Sequence, residues 1–229
     1  MNKLKQVAET YDQMFSGGGY QGVYDLPYWH CGYYPLFKRV RDQVLRRGAK
    51  SVLEVGCGTG AFAHLLMTTT SIKYRGFDFS KVAVAKAIAR TRQPAAFYVG
   101  NAVEDVSYAH DSYDCIVCTE VLEHLEQDLE VIKKWQPGTF CVCSVPNFDD
   151  ETHVRHFDSI DQVRTRYAPL IAIDGVARVK KPVLTDISVR NRLRAIRWYR
   201  NRPGQLMAVL GLGTFQSVGG WFIFHGVKR

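Results

Sequence analysis

The sequence has no long apolar run and no internal repeat. Nothing in its 229 residues approaches the roughly 18 consecutive apolar residues that a membrane span needs. Met1–Lys5 leads into a mixed polar segment instead of an apolar signal region. These features exclude integral membrane helices and repeat solenoids. We expect a soluble, cytoplasmic protein without a membrane partner, long enough for one α/β domain with its own core.

The sequence is also poor in candidates for disulfides or zinc knuckles. Four of its six cysteines fall in two predicted strands that we expect to be neighbours, at positions 115, 118, 141 and 143. Residues three apart on a strand point to opposite faces, so Cys115 and Cys118 cannot converge on one metal ion. We interpret the cysteines as small, buried apolar residues.

Acidic residues are nearly missing from the last quarter of the chain. Residues 176–229 contain 11 Lys and Arg against one acidic residue, whereas the preceding residues contain 19 against 21. The basic character is concentrated in a predicted helical insertion at about residues 182–210, where Arg190, Arg194 and Arg197 have the spacing of one helix face. Three interpretations stay open: a solvated basic helix, a site for an anionic substrate or carrier, and a surface for a nucleic-acid backbone.

The most informative stretch is a glycine-rich turn. The apolar run Val52–Val55 predicts a buried strand, and Phe62–Met67 predicts the opening of a helix. Glycines between them let the backbone turn tightly and approach a ligand. Strand, glycine turn and helix N-terminus together are typical of a site for a nucleotide-like cofactor. The turn residues that we expect at this cofactor are Glu54, Gly56, Cys57, Gly58 and Gly60.

Two classes of cofactor use such a turn. Gly56, Gly58 and Ala61 satisfy the dinucleotide pattern G-x-G-x-x-A, which leaves a nicotinamide dehydrogenase as an alternative. Glu54 precedes the first glycine by two residues, and its carboxylate would repel a pyrophosphate. S-adenosylmethionine has no phosphate and brings a sulfonium, an ammonium and a ribose. Glu54 therefore favours S-adenosylmethionine.

Residues 54–60 resemble motif I of the class I S-adenosylmethionine-dependent methyltransferases, E-x-G-x-G-x-G. The resemblance continues through Ala96–Ala102, Tyr113–Leu125 and Thr139–Asn147, which are similar to the third, fourth and fifth strands of that family and the turns after them. It implies an α/β fold: a single Rossmann-like domain with a mainly parallel seven-stranded sheet and helices on both faces. The similarity is strongest to small-molecule O- and N-methyltransferases with an E-V-L-E-H-L segment.

The resemblance also implies roles for residues beyond the turn. Asp78 corresponds to the acid that takes the ribose hydroxyls. Asn101 stands beside the adenine where the family usually carries Asp, and its amide oxygen can still accept a hydrogen bond from the exocyclic amine. The remaining predicted cofactor contacts are Phe79, Ser80, Ala102, Glu120 and Tyr20.

Residues 1–50 form an arm, rich in aromatic residues, ahead of the methyltransferase domain at 51–229. The aromatic side chains either pack the arm onto the domain or form a lid that covers the cofactor and attracts its sulfonium. The resemblance supports a lid, for which Tyr11, Tyr20 and Tyr33 are the candidates.

Three neighbouring residues are candidates for catalysis or metal binding: Glu120, Glu123 and His124. A helical turn would place them on one face, where they could bind a divalent metal together with His156. This arrangement resembles the E-x-x-E-H of small-RNA 3′-terminal 2′-O-methyltransferases, which bind Mg²⁺ or Mn²⁺. Similar segments also occur in small-molecule methyltransferases without a metal, with the histidine as general base or polar residue. We predict His124 and Glu123 as catalytic residues and no bound metal, with the metal set as the alternative.

The sequence therefore predicts methyl transfer from S-adenosyl-L-methionine to an oxygen or nitrogen of a small, anionic molecule by direct in-line displacement. The alternatives are a metal-assisted RNA methyltransferase that uses the arginine-rich helix and, less directly, a binding protein that keeps the fold without turnover. The predicted substrate contacts are Tyr33, His153, His156 and Arg194.

Overall fold

The central strands are buried on both faces. The structure, a computed structural model, describes residues 3–104, 107–110 and 112–229. In the fourth strand, Ile116 and Cys118 lie in the core on one side of the sheet, and Cys115 and Val117 lie in the core on the other side. Successive side chains of a strand point to opposite faces, so a strand covered on both sides must be apolar throughout.

Seven strands form one sheet in the order β3-β2-β1-β4-β5-β7-β6. Strands β1 to β5 are parallel, and β7 runs antiparallel to both of its neighbours, β5 and β6. The predicted mainly parallel, seven-stranded sheet is confirmed, with an antiparallel hairpin at one edge. The strands are β1 Ser51–Val55, β2 Lys73–Asp78, β3 Phe97–Val99, β4 Cys115–Thr119, β5 Phe140–Pro146, β6 Ile171–Lys180 and β7 Gly220–Lys228.

Helices cover both faces of the sheet, as predicted. On one side Leu36 and Phe62 pack against Val142, and on the other Val131 and Val163 belong to the second core. The helices are α1 Lys3–Ser16, α2 Tyr34–Arg47, α3 Ala61–Thr69, α4 Lys81–Thr91, α5 Ser107–His110, α6 Asp128–Lys133, α7 Ile160–Tyr167, α8 Val189–Tyr199, α9 Pro203–Val209 and α10 Phe215–Val218.

The cysteines are buried and free. Cys115 and Cys118 lie in separate cores, so the Cys-x-x-Cys pair points to opposite sides of the sheet as the strand geometry requires. Burial raises the pKa of the Cys118 thiol well above its ordinary value. These thiols are therefore packing residues.

Helices α8 and α9 lie between β6 and β7, inside the segment predicted as a basic insertion. Across the described residues, no helix is both long and apolar enough to cross a membrane.

Candidate functional site

The glycine turn joins β1 to α3, and its three glycines have different surroundings. Gly56, Gly58 and Gly60 all have positive φ, at 72°, 50° and 74°. A Cβ on Gly56 would lie 2.2 Å from Val121, and one on Gly60 would lie 2.8 Å from the Ala87 Cβ. A Cβ on Gly58 would meet no atom within 4 Å. Gly56 and Gly60 are thus needed for packing, whereas Gly58 leaves the backbone open to a ligand.

Asp78 ends β2 beside this turn. Its carboxylate accepts hydrogen bonds from the backbone N–H groups of Gly58 and Ser80, each at 2.9 Å. Burial raises the pKa of Asp78 to about 6, although these two N–H groups oppose the shift by stabilising the charged form. The structure therefore brings together three of the predicted cofactor residues, with the carboxylate held in place before any ligand arrives.

Glu54 lies buried beneath the turn. The Tyr74 hydroxyl donates a hydrogen bond to its carboxylate, and burial raises the pKa of Glu54 to about 8. Cys57 of the turn is also buried, and burial raises the pKa of its thiol well above the ordinary value. Nothing in the local sequence indicated Tyr74, because it reaches Glu54 from the neighbouring strand β2.

Asn101 and Ala102 follow β3. The Asn101 side-chain oxygen accepts a hydrogen bond from the Val103 backbone N–H at 2.9 Å, closing a local turn. The backbone N–H of Gly100 donates to the Asp78 carbonyl at 3.0 Å, which ties this turn to the end of β2. An amide oxygen has two lone pairs, so Asn101 keeps capacity for a second donor.

Helix α1 contacts the residues that follow β2 and the helix α4 after them. Asp12 accepts a hydrogen bond from the Ser80 hydroxyl, and the Tyr11 ring lies 5.0 Å from that of Phe79. Lys86 of α4 donates to the Phe15 carbonyl at 2.6 Å. The arm is therefore bonded to the residues just after Asp78.

The loop after α1 adds further contacts to the same turn. The Thr59 hydroxyl donates to the Tyr24 carbonyl at 2.9 Å, and Arg90 donates to the carbonyls of Tyr24 and Leu26. The Tyr33 ring centroid lies 5.5 Å from that of Trp221, toward the far edge of the sheet. The side chain of Tyr20, a predicted cofactor contact, lies outside the described part of the chain.

Glu120 departs from the predicted helical turn. Its φ is +57°, in the left-handed region that a non-glycine residue rarely adopts, and the following short 3-10 helix begins only at Leu122. The carboxylate accepts hydrogen bonds from the Ser144 hydroxyl at 2.9 Å and the Trp221 indole N–H at 2.6 Å. The prediction of one helical face shared with Glu123 and His124 is therefore wrong, because these distant donors orient Glu120.

The two glutamates of this segment differ in their hydrogen bonding. Burial raises the pKa of Glu120 to about 7 against the effect of its two donors. Burial, reinforced by Glu120, raises the pKa of Glu123 well above its ordinary value. The backbone N–H groups of Val121 and Glu123 oppose this rise in pKa, but within the described parts of the chain no donor meets full hydrogen-bond geometry with either carboxylate oxygen. A buried carboxylate without a partner is costly, and a cation would satisfy it.

The residues that could bind a metal differ from the predicted set. Glu123, His124 and His153 offer ligand atoms within 4.8 Å of one another. Glu120 is occupied by Ser144 and Trp221, as described above. His156 is half-exposed and lies 3.7 Å from Asp149 instead. The donor set of one carboxylate and two imidazoles fits a divalent ion of the first transition row.

His124 is held by its neighbours in a defined orientation. Its Nδ1 lies 2.9 Å from the Thr152 carbonyl oxygen and 3.3 Å from the Tyr11 hydroxyl. Its Nε2 lies 3.8 Å from a carboxylate oxygen of Glu123. Burial lowers the pKa of His124, so the neutral ring is favoured at neutral pH.

Arg155, which was not predicted from the sequence, binds the backbone of the segment that carries His124. Arg155 donates to the carbonyls of Leu122 and Leu125, at 2.5 Å each. It also lies 3.3 Å from Asp128, a fully buried carboxylate that Arg166 binds with two hydrogen bonds. No local pattern in the sequence signals this network, because its members come from α6, the loop after β5, and α7.

A basic edge continues from His124 toward the insertion. The His153 ring lies 4.9 Å from that of His124 and 5.7 Å from that of Phe148, and the Lys181 ammonium lies 4.1 Å from the Phe148 ring centroid. Lys181 also lines a cavity of about 210 Å³ beside α8 and α9, together with Lys180, Arg192 and apolar side chains. Arg194 is exposed on α8.

Comparison with known proteins gives a consistent picture. Residues 28–207 match the family described as "Methyltransferase domain". The chain is 32% identical over 99 residues to the ubiquinone biosynthesis O-methyltransferase of Sodalis glossinidius (strain morsitans), a match that covers 40% of this chain and 39% of that protein. The chain spans about 40% of the length of the curated relatives that it matches.

Solved structures agree in fold. The [4+2]-cyclase SpnF superposes with a TM-score of 0.67 and 17% identity, covering 100% of this chain and 97% of that one. The N-methyltransferase NodS from Bradyrhizobium japonicum WM9, in complex with S-adenosyl-L-homocysteine, superposes with a TM-score of 0.53 and 17% identity, covering 84% of this chain and 88% of that one. At these identities the likeness shows the fold alone.

Proposed function

The chain belongs to the methyltransferase-domain family, and we propose that it methylates an oxygen or nitrogen atom of a small, anionic molecule by direct in-line displacement. The family supports methyl transfer that depends on S-adenosyl-L-methionine. The acceptor, the residues and their roles are the proposal. When bound, the cofactor supplies an electrophilic methyl group on a sulfonium.

The glycine turn and the ends of β2 and β3 would hold the cofactor. Asp78, fixed by two backbone N–H groups, would accept hydrogen bonds from the ribose hydroxyls. The open space at Gly58 admits the close approach of a ligand, and Asn101 has a free lone pair for the adenine amine. Phe79, whose ring lies 5.0 Å from that of Tyr11, would pack beside the cofactor.

His124 carries the proposal of an oxygen or nitrogen acceptor, because such an acceptor must lose one proton during transfer. The Thr152 carbonyl can only accept a hydrogen bond, so Nδ1 of His124 carries the hydrogen and Nε2 keeps its lone pair. Burial keeps the ring neutral. Nε2 is therefore ready to take the proton, and it lies 3.8 Å from the Glu123 carboxyl group.

The basic edge supports an anionic acceptor. Lys181 is connected to His124 through the rings of Phe148 and His153, and it shares the neighbouring cavity with Lys180 and Arg192. An acidic group of the acceptor would pair with these cations. We assign this binding role to Lys181 and Arg192 ahead of Arg194.

Two measurements test the proposed function. Titration of S-adenosylhomocysteine into the wild type and into Asp78→Ala should show binding that the variant loses. His124→Asn should lower methyl transfer roughly 10²-fold to 10⁴-fold while leaving that binding unchanged. Asp158→Asn, at an exposed position of the same loop, is the control. Equal effects of the two variants would contradict a proton acceptor at position 124.

A second candidate function rests on the unpaired oxygens of Glu123. In a metal-assisted RNA methyltransferase, Glu123, His124 and His153 would hold Mn²⁺, and the ion would polarise the acceptor hydroxyl. His124 cannot act both as ligand through Nε2 and as proton acceptor, so the two functions exclude each other. Titration of Mn²⁺ alone, monitored by electron paramagnetic resonance, separates them. Binding lost in His153→Ala and kept in His156→Ala would support the metal.

A further inference from the structure

The insertion between β6 and β7 exposes large apolar side chains. Of the eleven large hydrophobic residues exposed in the described part of the chain, seven lie between Val183 and Leu212. Val189 on α8 is 75% exposed and Leu193, one turn later, is 56% exposed. Monomeric soluble proteins rarely leave so many apolar side chains together on the surface. We call this surface, residues 183–212, the insertion face.

The insertion face is also strongly basic. Its arginines are Arg190, Arg192, Arg194, Arg197, Arg200 and Arg202, and all six are exposed. The chain has no acidic residue after Asp186 to neutralise them. Within α8, Val189 and Leu193 share a face with Arg190 and Arg197 on its flank, and the side chain of Ala195 is buried on the opposite side. The helix thus presents apolar and cationic groups to solvent together.

We propose that the insertion face binds the surface of an anionic membrane. A basic amphipathic helix of this kind lies in the interface, with its apolar side chains among the acyl chains and its arginines at the phosphates. This inference goes beyond the proposed methyl transfer and does not depend on it. It also revises the expectation of no membrane partner, which rested only on the lack of a spanning segment.

Charge and composition favour a lipid surface over other occupants. Two copies of this face would bring six arginines against six, so self-association is disfavoured. A nucleic-acid backbone would pair with the arginines but would leave Leu193, Met207 and Leu212 without an apolar partner. An anionic bilayer satisfies both kinds of side chain.

The first residues of the insertion face are hydrogen-bonded to the N-terminal arm. Membrane binding would therefore act on a segment that also contacts the predicted cofactor site. The backbone N–H of Ile187 donates to the His30 carbonyl at 2.8 Å, and that of Gly32 donates to the Thr185 carbonyl at 2.7 Å. The Thr185 hydroxyl also donates to the Gln21 side chain at 2.7 Å. The cavity lined by Lys181 opens beside the same helices. Docking through this face would place that cavity near the lipid headgroups.

Flotation of the full chain with vesicles tests the proposal. The wild type should bind vesicles of phosphatidylglycerol and phosphatidylcholine in equal parts, and should bind pure phosphatidylcholine far more weakly. Leu193→Asp should lower binding about tenfold or more, and the double variant Arg190→Glu/Arg197→Glu about thirtyfold or more. Leu45→Asp and the double variant Lys38→Glu/Arg46→Glu, exposed on α2, are matched controls that should bind as the wild type does.

Titration of S-adenosylhomocysteine into each variant shows whether that variant is folded. It also distinguishes a failure of the membrane proposal from a failure of the methyltransferase proposal. Retained cofactor binding with no flotation of the wild type would overturn the membrane proposal and leave the methyltransferase proposal intact. Binding of the wild type to polyuridylate, without binding to the mixed vesicles, would also overturn it and point to a nucleic-acid surface.

Discussion

The Trp221 indole N–H donates a 2.6 Å hydrogen bond to Oε2 of Glu120, joining β7 to the residue that follows β4. The other carboxylate oxygen accepts from the Ser144 hydroxyl of β5, the strand that lies between them. Glu120 keeps its left-handed backbone under these restraints. Such strain persists where the surroundings over-determine a residue, and it clusters at functional sites.

Trp221→Phe should therefore destabilise the protein, through the loss of this hydrogen bond and of part of a buried ring. We expect the free energy of unfolding to fall by about 1–3 kcal/mol, because a buried carboxylate oxygen loses its donor. The pKa of Glu120 should rise above about 7, since the lost donor favoured the charged form. Urea denaturation measures the first effect. Trp29→Phe is the control, because Trp29 is 47% exposed, and an equal loss there would contradict the role of the hydrogen bond.

The glycines of the turn should respond differently to alanine. Gly60→Ala would place a Cβ 2.9 Å from the Ala87 Cα as well as straining a positive φ, so a loss of several kcal/mol is expected. Gly58→Ala meets no atom within 4 Å and should cost only about 1–2 kcal/mol of backbone strain. Denaturation measures both, and titration of S-adenosylhomocysteine should show that Gly58→Ala, though folded, binds weakly. Similar stabilities of the two variants would contradict this division of roles.

Glu54 should make the unliganded protein less stable as pH rises. Its pKa is about 8 in the folded state and about 4.3 in an unfolded chain. Between these values the unfolded state has released the proton and the folded state retains it, so the free energy of unfolding falls as pH increases. Urea denaturation at pH values from about 5 to about 8 measures the slope. Glu54→Gln should lower the slope by the share of one proton and leave the shares of Asp78, Glu120 and Glu123, whereas Glu130→Gln, on an exposed residue, should leave the slope unchanged.

Asp128 should prove necessary for the segment that carries His124. Asp128→Asn leaves Arg155 and Arg166 without their buried carboxylate, and breaking such a network costs about 3–5 kcal/mol. Because Arg155 also binds the carbonyls of Leu122 and Leu125, hydrogen exchange in residues 120–125 should accelerate. Asp161→Asn, at an exposed position of α7, is the control. If hydrogen exchange in residues 120–125 is unchanged in Asp128→Asn, the Asp128 network does not hold the segment that carries His124.

The parts of the fold that follow local patterns could be predicted from the sequence. The strand, glycine turn and helix around Gly56 depend on residues that are neighbours in the chain, and the two faces of Cys115 and Cys118 follow from strand geometry alone. The parallel order of the strands follows from their alternation with helices.

Residues whose positions depend on distant partners could not be predicted in this way. Glu120 takes its conformation from Ser144 and Trp221, which are 24 and 101 residues away. The spacing of residues in the sequence could not show that His153, and not His156, lies against His124. Both histidines belong to the loop after β5, which has no regular periodicity. The roles predicted for the site residues stay predictions.

Ser80 uses one hydroxyl for two bonds: it accepts from the Ala83 N–H to cap α4, and it donates to Asp12 of the arm. The N-terminal cap of α4 and the attachment of the arm therefore share one oxygen atom. Ser80→Ala would remove both bonds at once, so the start of α4 and the arm should lose protection from hydrogen exchange together.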